Sequence, residues 1–199
     1  MARAARPSLV VIAGPNGAGK STLAPLLLRD TLAVTEFVNA DVIARGLSAF
    51  APEQVAMAAG RLMLERLRDL AGQQVSFAFE TTLASRSFAP WIRQLLQVGY
   101  RFHLVFLSLP SAAVAVQRVA SRVRMGGHAV PADVVRRRYH AGLHNFFRLY
   151  LPLATSWRMY DTSSGYSIEL PIAAGNESTT VVYDEALWER ARREANHGT

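Results

Sequence analysis

Cysteine is absent from this 199-residue chain, so disulfide frameworks, thiolate nucleophiles and cysteine-held metals are excluded. Lysine is nearly absent as well. Lys20 is the single one, and the rest of the basic charge is arginine. No apolar run approaches the roughly 18 residues that a membrane-spanning helix needs. Arg3 and Arg6 before Leu9-Val10-Val11-Ile12 loosely mimic a secretory signal. That run is too short, and it flows directly into a glycine-rich motif that cleavage would sever. A cytoplasmic protein without a membrane anchor is expected.

What is present is ordinary for a folded protein. Half of the residues are hydrophobic and 19% are charged, enough to bury the core of one α/β domain and unlike a disordered chain. Basic side chains outnumber acidic ones by 22 to 15, a net charge of +7. Such a balance suits anionic partners, but nucleic acid, nucleotides and phosphosugars are all anionic, so charge does not choose among them.

Short β-rich runs alternate with longer helical stretches, which predicts a mostly parallel sheet flanked by helices. Strands are expected at Ser8–Ala13, Thr35–Asn39, Val75–Phe79, Phe102–Leu109 and Trp157–Tyr160. Weaker strand candidates are Ser167–Ala173 and Thr179–Tyr183. Helices are expected at Gly19–Arg29, Glu53–Leu70, Phe88–Val98, Ser111–Val123, Ala132–Phe147 and Glu185–Glu194. Pro52 opens the second of these, Gly99 stops the third and Ser111 caps the fourth. No repeat or long linker divides the chain, so one domain over 1–199 is expected. Its core runs from about 8 to 161, with C-terminal strands and a helix over about 167–195.

The strongest motif is Gly14-Pro15-Asn16-Gly17-Ala18-Gly19-Lys20-Ser21, followed by Thr22. In G-x-x-x-x-G-K-S the glycines let backbone N–H groups turn inward around phosphates, and the next helix aims its positive end at them. Lys20 is expected to reach the β- and γ-phosphates of ATP and Ser21 to ligate Mg²⁺. An apolar strand before the motif and a helix after it complete the context. A transporter-type ATPase would carry a Leu-Ser-Gly-Gly segment downstream, and none is found.

Three acids end strands, where ligands of parallel sheets gather. Asp41 is either a general base for a hydroxyl attacking the γ-phosphate or an N-cap for the turn that follows. Glu80 is either a metal-side carboxylate or a plain strand terminus, and Asp161 closes the fifth strand in a similar way. Arg118 and Arg122 share a helix face, with Arg124 at the end. Gly126-Gly127 then permits movement, as in a lid that brings arginines onto a transferring phosphoryl group. A solvated basic face is the alternative for these three. Arg136, Arg137 and Arg138 are expected to form such a face, because three in a row cannot all point inward. His128 lies in the loop between, within reach of a substrate.

With these residues in view, the chain resembles the zeta-toxin family of P-loop kinases from about Leu9 to Asp161. The resemblance rests on Ala13 to Thr22, Asn39-Ala40-Asp41, Phe79-Glu80-Thr81-Thr82, and Arg118 to Pro131 with its Gly126-Gly127-His128. It implies a kinase that uses ATP and Mg²⁺ to phosphorylate a sugar hydroxyl of UDP-N-acetylglucosamine, and an antitoxin protein as a possible partner. Asp41 is then the general base and Lys20 the phosphate grip. Arg118 and Arg124 stabilise the transition state, with Arg122 competing for either role. Glu80 and Thr82 contact the sugar nucleotide. One departure is that a further substrate-binding glutamate has no counterpart in register: Arg61 and Leu62 stand there, with Glu65 about a turn away. Outside the resemblance, a hydrolytic or non-catalytic ATPase gating a protein partner and a nucleic-acid-directed kinase are the other expectations.

Overall fold

The computed structural model describes residues 6–28, 34–127, 129–165 and 170–196. The first half runs β1 (Ser8–Ala13), α1 (Lys20–Pro25), β2 (Glu36–Val38), α2 (Ala40–Leu47), α3 (Ala56–Gly72), β3 (Phe77–Thr81) and α4 (Phe88–Gln97). The second runs β4 (Arg101–Ser108), α5 (Ala112–Arg124), α6 (Ala132–Asn145), β5 (Ser156–Asp161), β6 (Ala173–Asn176), β7 (Thr180–Val182) and α7 (Glu185–Asn196). A 3-10 turn at Pro52–Val55 leads into α3, and a π turn at Phe146–Tyr150 extends α6.

The described strands form one sheet in the order β2-β3-β1-β4-β5-β6-β7. The five strands from β2 to β5 pair in parallel, and β6 and β7 add on antiparallel. Leu9 to Ala13 of the central β1 are wholly buried, which explains why that strand reads as a continuous apolar run rather than an alternation. Aromatic side chains fill the space between sheet and helices. Phe79 meets Phe88 at 4.9 Å and Phe77 meets Trp91 at 6.1 Å, while Phe106 meets Phe146 at 4.7 Å. Among the described residues no helix is long and apolar enough to cross a membrane.

Several expected boundaries move, each for a physical reason. A helix, α2, stands where only a turn was expected; Asn39 caps it and it packs on α3. Strand β3 starts two residues late, because the Val75 carbonyl accepts from the Tyr100 hydroxyl instead of a ladder partner. The strand expected over Ser167–Ala173 begins only at Ala173, since Pro171 has no N–H to offer a ladder. Residues 167–169 of that expectation lie outside the described residues. Helix α1 carries Pro25 and passes into π turns over 26–28, as expected when a proline ring crowds the preceding turn. Its expected end at Arg29 lies outside the described residues. Ser111 caps α5 through a bond from the Val114 N–H, as the sequence predicted.

Candidate active site

The glycine-rich loop joins β1 to α1. Gly14 (φ +142°) crosses the end of β4 so closely that a Cβ would lie 2.3 Å from the Leu107 carbonyl oxygen. Gly17 (φ +82°) leaves a Cβ only 2.9 Å from Cβ of Arg118. Neither position admits another residue. Pro15 and Ala18 are buried, and the Ala18 N–H closes a turn onto the Pro15 carbonyl at 3.2 Å. Asn16 keeps its Oδ1 buried within the loop, Gly19 starts α1 in the left-handed region, and Thr22 is exposed. Lys20 is buried and folds over the loop, its Nζ donating to the carbonyls of Gly14 (2.9 Å) and Pro15 (3.0 Å).

Because β3 lies directly beside β1, Glu80 falls opposite Ile12 and next to the loop. Ser21 Oγ donates to Glu80 Oε2 at 2.9 Å and Oε1 at 3.1 Å. Asn39, at the end of β2, ties the third strand end to this pair: its Nδ2 donates to Ser21 Oγ at 3.4 Å. Its Oδ1 accepts from the N–H of Asp41 (2.7 Å) and of Val42 (3.2 Å). Asn39 is therefore the N-cap of α2, and Asp41 is not. The Asp41 carboxylate is exposed and acts electrostatically on both Lys20 and Glu80.

Burial pulls the Lys20 ammonium below its ordinary value, opposed by Glu80 and Asp41 and reinforced by Arg122 and Arg138. Burial likewise raises the Glu80 carboxyl, opposed by Lys20 and by hydrogen bonds from Ser21 and Asn39, with Asp41 adding to the rise. In both groups burial disfavours the charged form.

The arginines separate. Arg118 Nη2 donates to the carbonyls of Thr162 (2.6 Å) and Ser163 (2.8 Å), and its Nη1 reaches the Gly17 carbonyl at 3.4 Å. It thus staples the phosphate loop to the chain leaving β5. Arg124 is exposed and bonds Ser121 of its own helix at 2.9 Å. Arg122 is half-buried and its charge reaches Lys20. Arg136 and Arg137 are exposed as expected, but Arg138 is half-buried with its charge also felt at Lys20, so the three do not form one solvated face. On α6 they lie about 100° apart per residue, and only one can turn toward the loop.

The glycine pair after α5 forms a cap. Gly126 (φ +84°) and Gly127 close α5 with bonds to the carbonyls of Val123 and Arg122, both 2.9 Å, a Schellman cap. A Cβ on Gly127 would lie 2.5 Å from Cγ of Arg122, so the glycine makes room for that side chain. His128 lies outside the described residues. Thr82 follows β3 in a half-buried loop where its Oγ1 accepts from the Ala84 N–H at 3.4 Å. Asp161 is committed locally, accepting from the N–H and Oγ of Ser163. Arg61, Leu62 and Glu65 are exposed on α3.

Two residues central to this geometry are not among the site candidates expected from sequence: Asn39, and Arg138, which was expected on a solvated face. The Asn39-Ala40-Asp41 wording pointed at the first; nothing local pointed at the second. For a metal, Mg²⁺ takes one or two protein oxygens and completes its shell with phosphates and water. Ser21 Oγ and the Glu80 carboxylate are a donor pair of that kind. Among the described residues no group of three or more His, Asp or Glu side chains forms a separate metal cage.

An uncharacterized protein of Haemophilus influenzae is 29% identical over 126 residues, which cover 63% of this chain and 88% of that protein. Among solved structures, the complex of AvrRxo1-ORF1 and -ORF2 with ATP matches with a TM-score of 0.76 at 20% identity. The match covers 94% of this chain and 64% of that one, so the chain spans just under two thirds of that relative's length. The PezAT toxin–antitoxin system of Streptococcus pneumoniae matches with a TM-score of 0.62 at 12% identity, covering 96% of this chain and 87% of that one. At these identities the likeness establishes the fold. A family model for the AAA domain (AAA_33) matches residues 9–149, from β1 through the π turn, and the chain belongs to that family.

Proposed function

We propose that the chain is an ATP-dependent kinase that transfers the γ-phosphate to a hydroxyl of a small molecule. The observation that carries this reading is the meeting of Lys20, the Ser21–Glu80 pair and Asp41 at the ends of three adjacent strands. Lys20 exchanges its two loop carbonyls for phosphate oxygens. Ser21 and Glu80 would hold Mg²⁺, which when bound would supply positive charge beside the phosphates. Asp41 stands exposed at the cleft and accepts the proton of the acceptor hydroxyl. The hydroxyl oxygen bonds to the γ-phosphorus, the bridge to the β-phosphate breaks, and ADP leaves with the electron pair. Arg122 and Arg138, rather than the outward Arg124, neutralise the charge that builds on the moving group. Arg118 holds the loop to the segment after β5.

A sugar nucleotide, UDP-N-acetylglucosamine first, is the acceptor we propose, on the resemblance of the motif set to zeta toxins. Thr82 is then an acceptor contact. The Ser21 bond favours the metal side for Glu80 over a contact to the sugar. The protein acts in the cytoplasm, where such acceptors are made.

The test is transfer of labelled γ-phosphate with Mg²⁺ and UDP-N-acetylglucosamine, followed by mass analysis. The product gains one phosphate in wild type. Asp41→Asn lowers turnover by about 10²–10⁴-fold while nucleotide affinity stays within about twofold, as for loss of a general base. Absence of transfer to this acceptor and to a whole metabolite pool would sink the kinase reading. A partner-gated ATPase is the second reading. Leu47, Phe50 and Met57 stand exposed near the helix that carries Asp41, Phe50 entirely so, and the AvrRxo1-ORF1 relative was solved with its ORF2 partner. In that case Asp41→Asn leaves nucleotide and partner binding intact and no phosphorylated small molecule is found.

A further inference from the structure

The loop that leaves β3 is held in a strained shape by one helix. Leu83 is fully buried with φ +57°, a conformation that a branched side chain avoids unless its surroundings impose it. Locally, Thr81 Oγ1 accepts from the Leu83 N–H at 3.1 Å and Thr82 Oγ1 from the Ala84 N–H at 3.4 Å. The remaining constraints come from α6 and its π extension. Asn145, 4% exposed, donates Nδ2 to the carbonyls of Leu83 (2.8 Å) and Ala84 (3.3 Å). Tyr150, wholly buried, donates to the Ser85 carbonyl at 2.6 Å. Its oxygen also faces the N–H groups of Phe88 and Ala89 at the start of α4. Gly142 lets α6 approach until a Cβ would sit 2.2 Å from the Thr82 carbonyl oxygen. A buried asparagine serving two carbonyls of a left-handed loop does more than fill a core, where an apolar side chain would suffice.

We propose that Asn145 is a positioning residue: through the carbonyls of Leu83 and Ala84 it holds the loop after β3 so that Thr82 meets the acceptor beside Glu80. The proposal rests on the kinase reading above. Tyr150 and Gly142 complete the grip. Because α6 also carries Arg138, the same helix sets the acceptor loop and an arginine of the phosphate side.

The full chain, wild type and with Asn145→Ala or Tyr150→Phe, is titrated with UDP-N-acetylglucosamine at saturating Mg²⁺ and ATP. Binding of a fluorescent ATP analogue and amide exchange over 82–87 are followed in parallel. In Asn145→Ala the KM for the acceptor rises about tenfold or more, kcat changes less, and nucleotide affinity stays within about twofold. Amide exchange accelerates in 82–87 and not in β1 or β4. Tyr150→Phe keeps its ring in place and shows the same pattern more weakly, and it carries the test if Asn145→Ala does not fold. Asn145→Asp, which keeps the shape and loses the donor, fails to restore the acceptor KM.

An unchanged acceptor KM with a loosened loop overturns the proposal. So does a parallel loss of acceptor and nucleotide affinity, the mark of general loosening. If wild type transfers nothing to the sugar nucleotide, that acceptor fails on its own account, and exchange then decides: local acceleration supports the grip, and wild-type exchange in both variants overturns it.

Discussion

A carboxylate that sits largely out of water is held against its own solvation, and Glu80 bears that strain. Burial lifts its folded pKa above the ordinary value of 4.5, so the carboxyl favours the fold while protonated and loses that contribution as pH rises through the raised value. Glu80→Gln cannot ionise. It is expected to melt above wild type at pH 7–8 in the absence of nucleotide and metal, by about 2–4 °C for each kcal/mol relieved. The difference closes as pH falls below 4.5, where wild type is protonated both folded and unfolded. Thermal melts of both proteins from pH 4 to pH 8 check this, and a gap that widens toward acid overturns it. In sequence Glu80 stands out as an acid at a strand end and as part of Phe79-Glu80-Thr81-Thr82, with no sign of its partner. Its bond to Ser21 exists because β3 lies beside β1, and strand order is not written in either segment.

At the level of elements, the end of α5 shows a cap that also makes room for a side chain. The glycine pair Gly126-Gly127 suggests a hinge in sequence, and in the structure it caps α5. What requires a glycine at 127 is the stem of Arg122 lying across it. Gly127→Ala is expected to push Arg122 aside, lowering phosphoryl transfer by about 10-fold or more while nucleotide affinity changes little. Arg124→Ala, on the exposed side of the same turn, is the matched control and keeps near wild-type turnover. Steady-state kinetics of the pair decide it. The capping role of Ser111, the stop at Gly99 and the strand before the phosphate loop were legible beforehand, because each depends on a few neighbouring residues. Helix α2 was not: it spans only Ala40–Leu47 and owes its stability to packing on α3 and to Asn39.

At the scale of the whole molecule, no candidate residue lies beyond Asp161, yet the C-terminal segment supports those that come before it. Trp188 of α7 stacks on Trp157 of β5 with ring centroids 5.6 Å apart. Gly175 of β6 leaves room for that indole, since a Cβ there would come within 2.9 Å of it. Helix α7 also touches α6, where His140 lies 3.9 Å from Glu194 and His144 Nδ1 lies 3.2 Å from the Ala195 carbonyl oxygen. The tail thus backs the helix that carries Arg138. Trp188→Ala is expected to cost about 3–5 kcal/mol, lowering Tm by about 10 °C. Nucleotide affinity measured well below the new Tm stays near wild type. Calorimetry with nucleotide titration tests this, and loss of binding in a still-folded variant would show that the tail reaches the phosphate loop.

By itself the sequence determined the phosphate loop, the parallel α/β plan and the candidate acids at strand ends, because those signals live in short spacings and in runs buried on both faces. It left Asp41 open between base and cap, and the arginines open between lid and solvated face. The tertiary structure decided the cap in favour of Asn39 and separated the arginines: Arg118 to the loop staple, Arg124 to solvent, Arg122 and Arg138 toward Lys20. A helix face acquires its meaning from what packs against it, and a strand end from its neighbours in the sheet. Both are contacts between residues far apart in the chain, which no local pattern encodes.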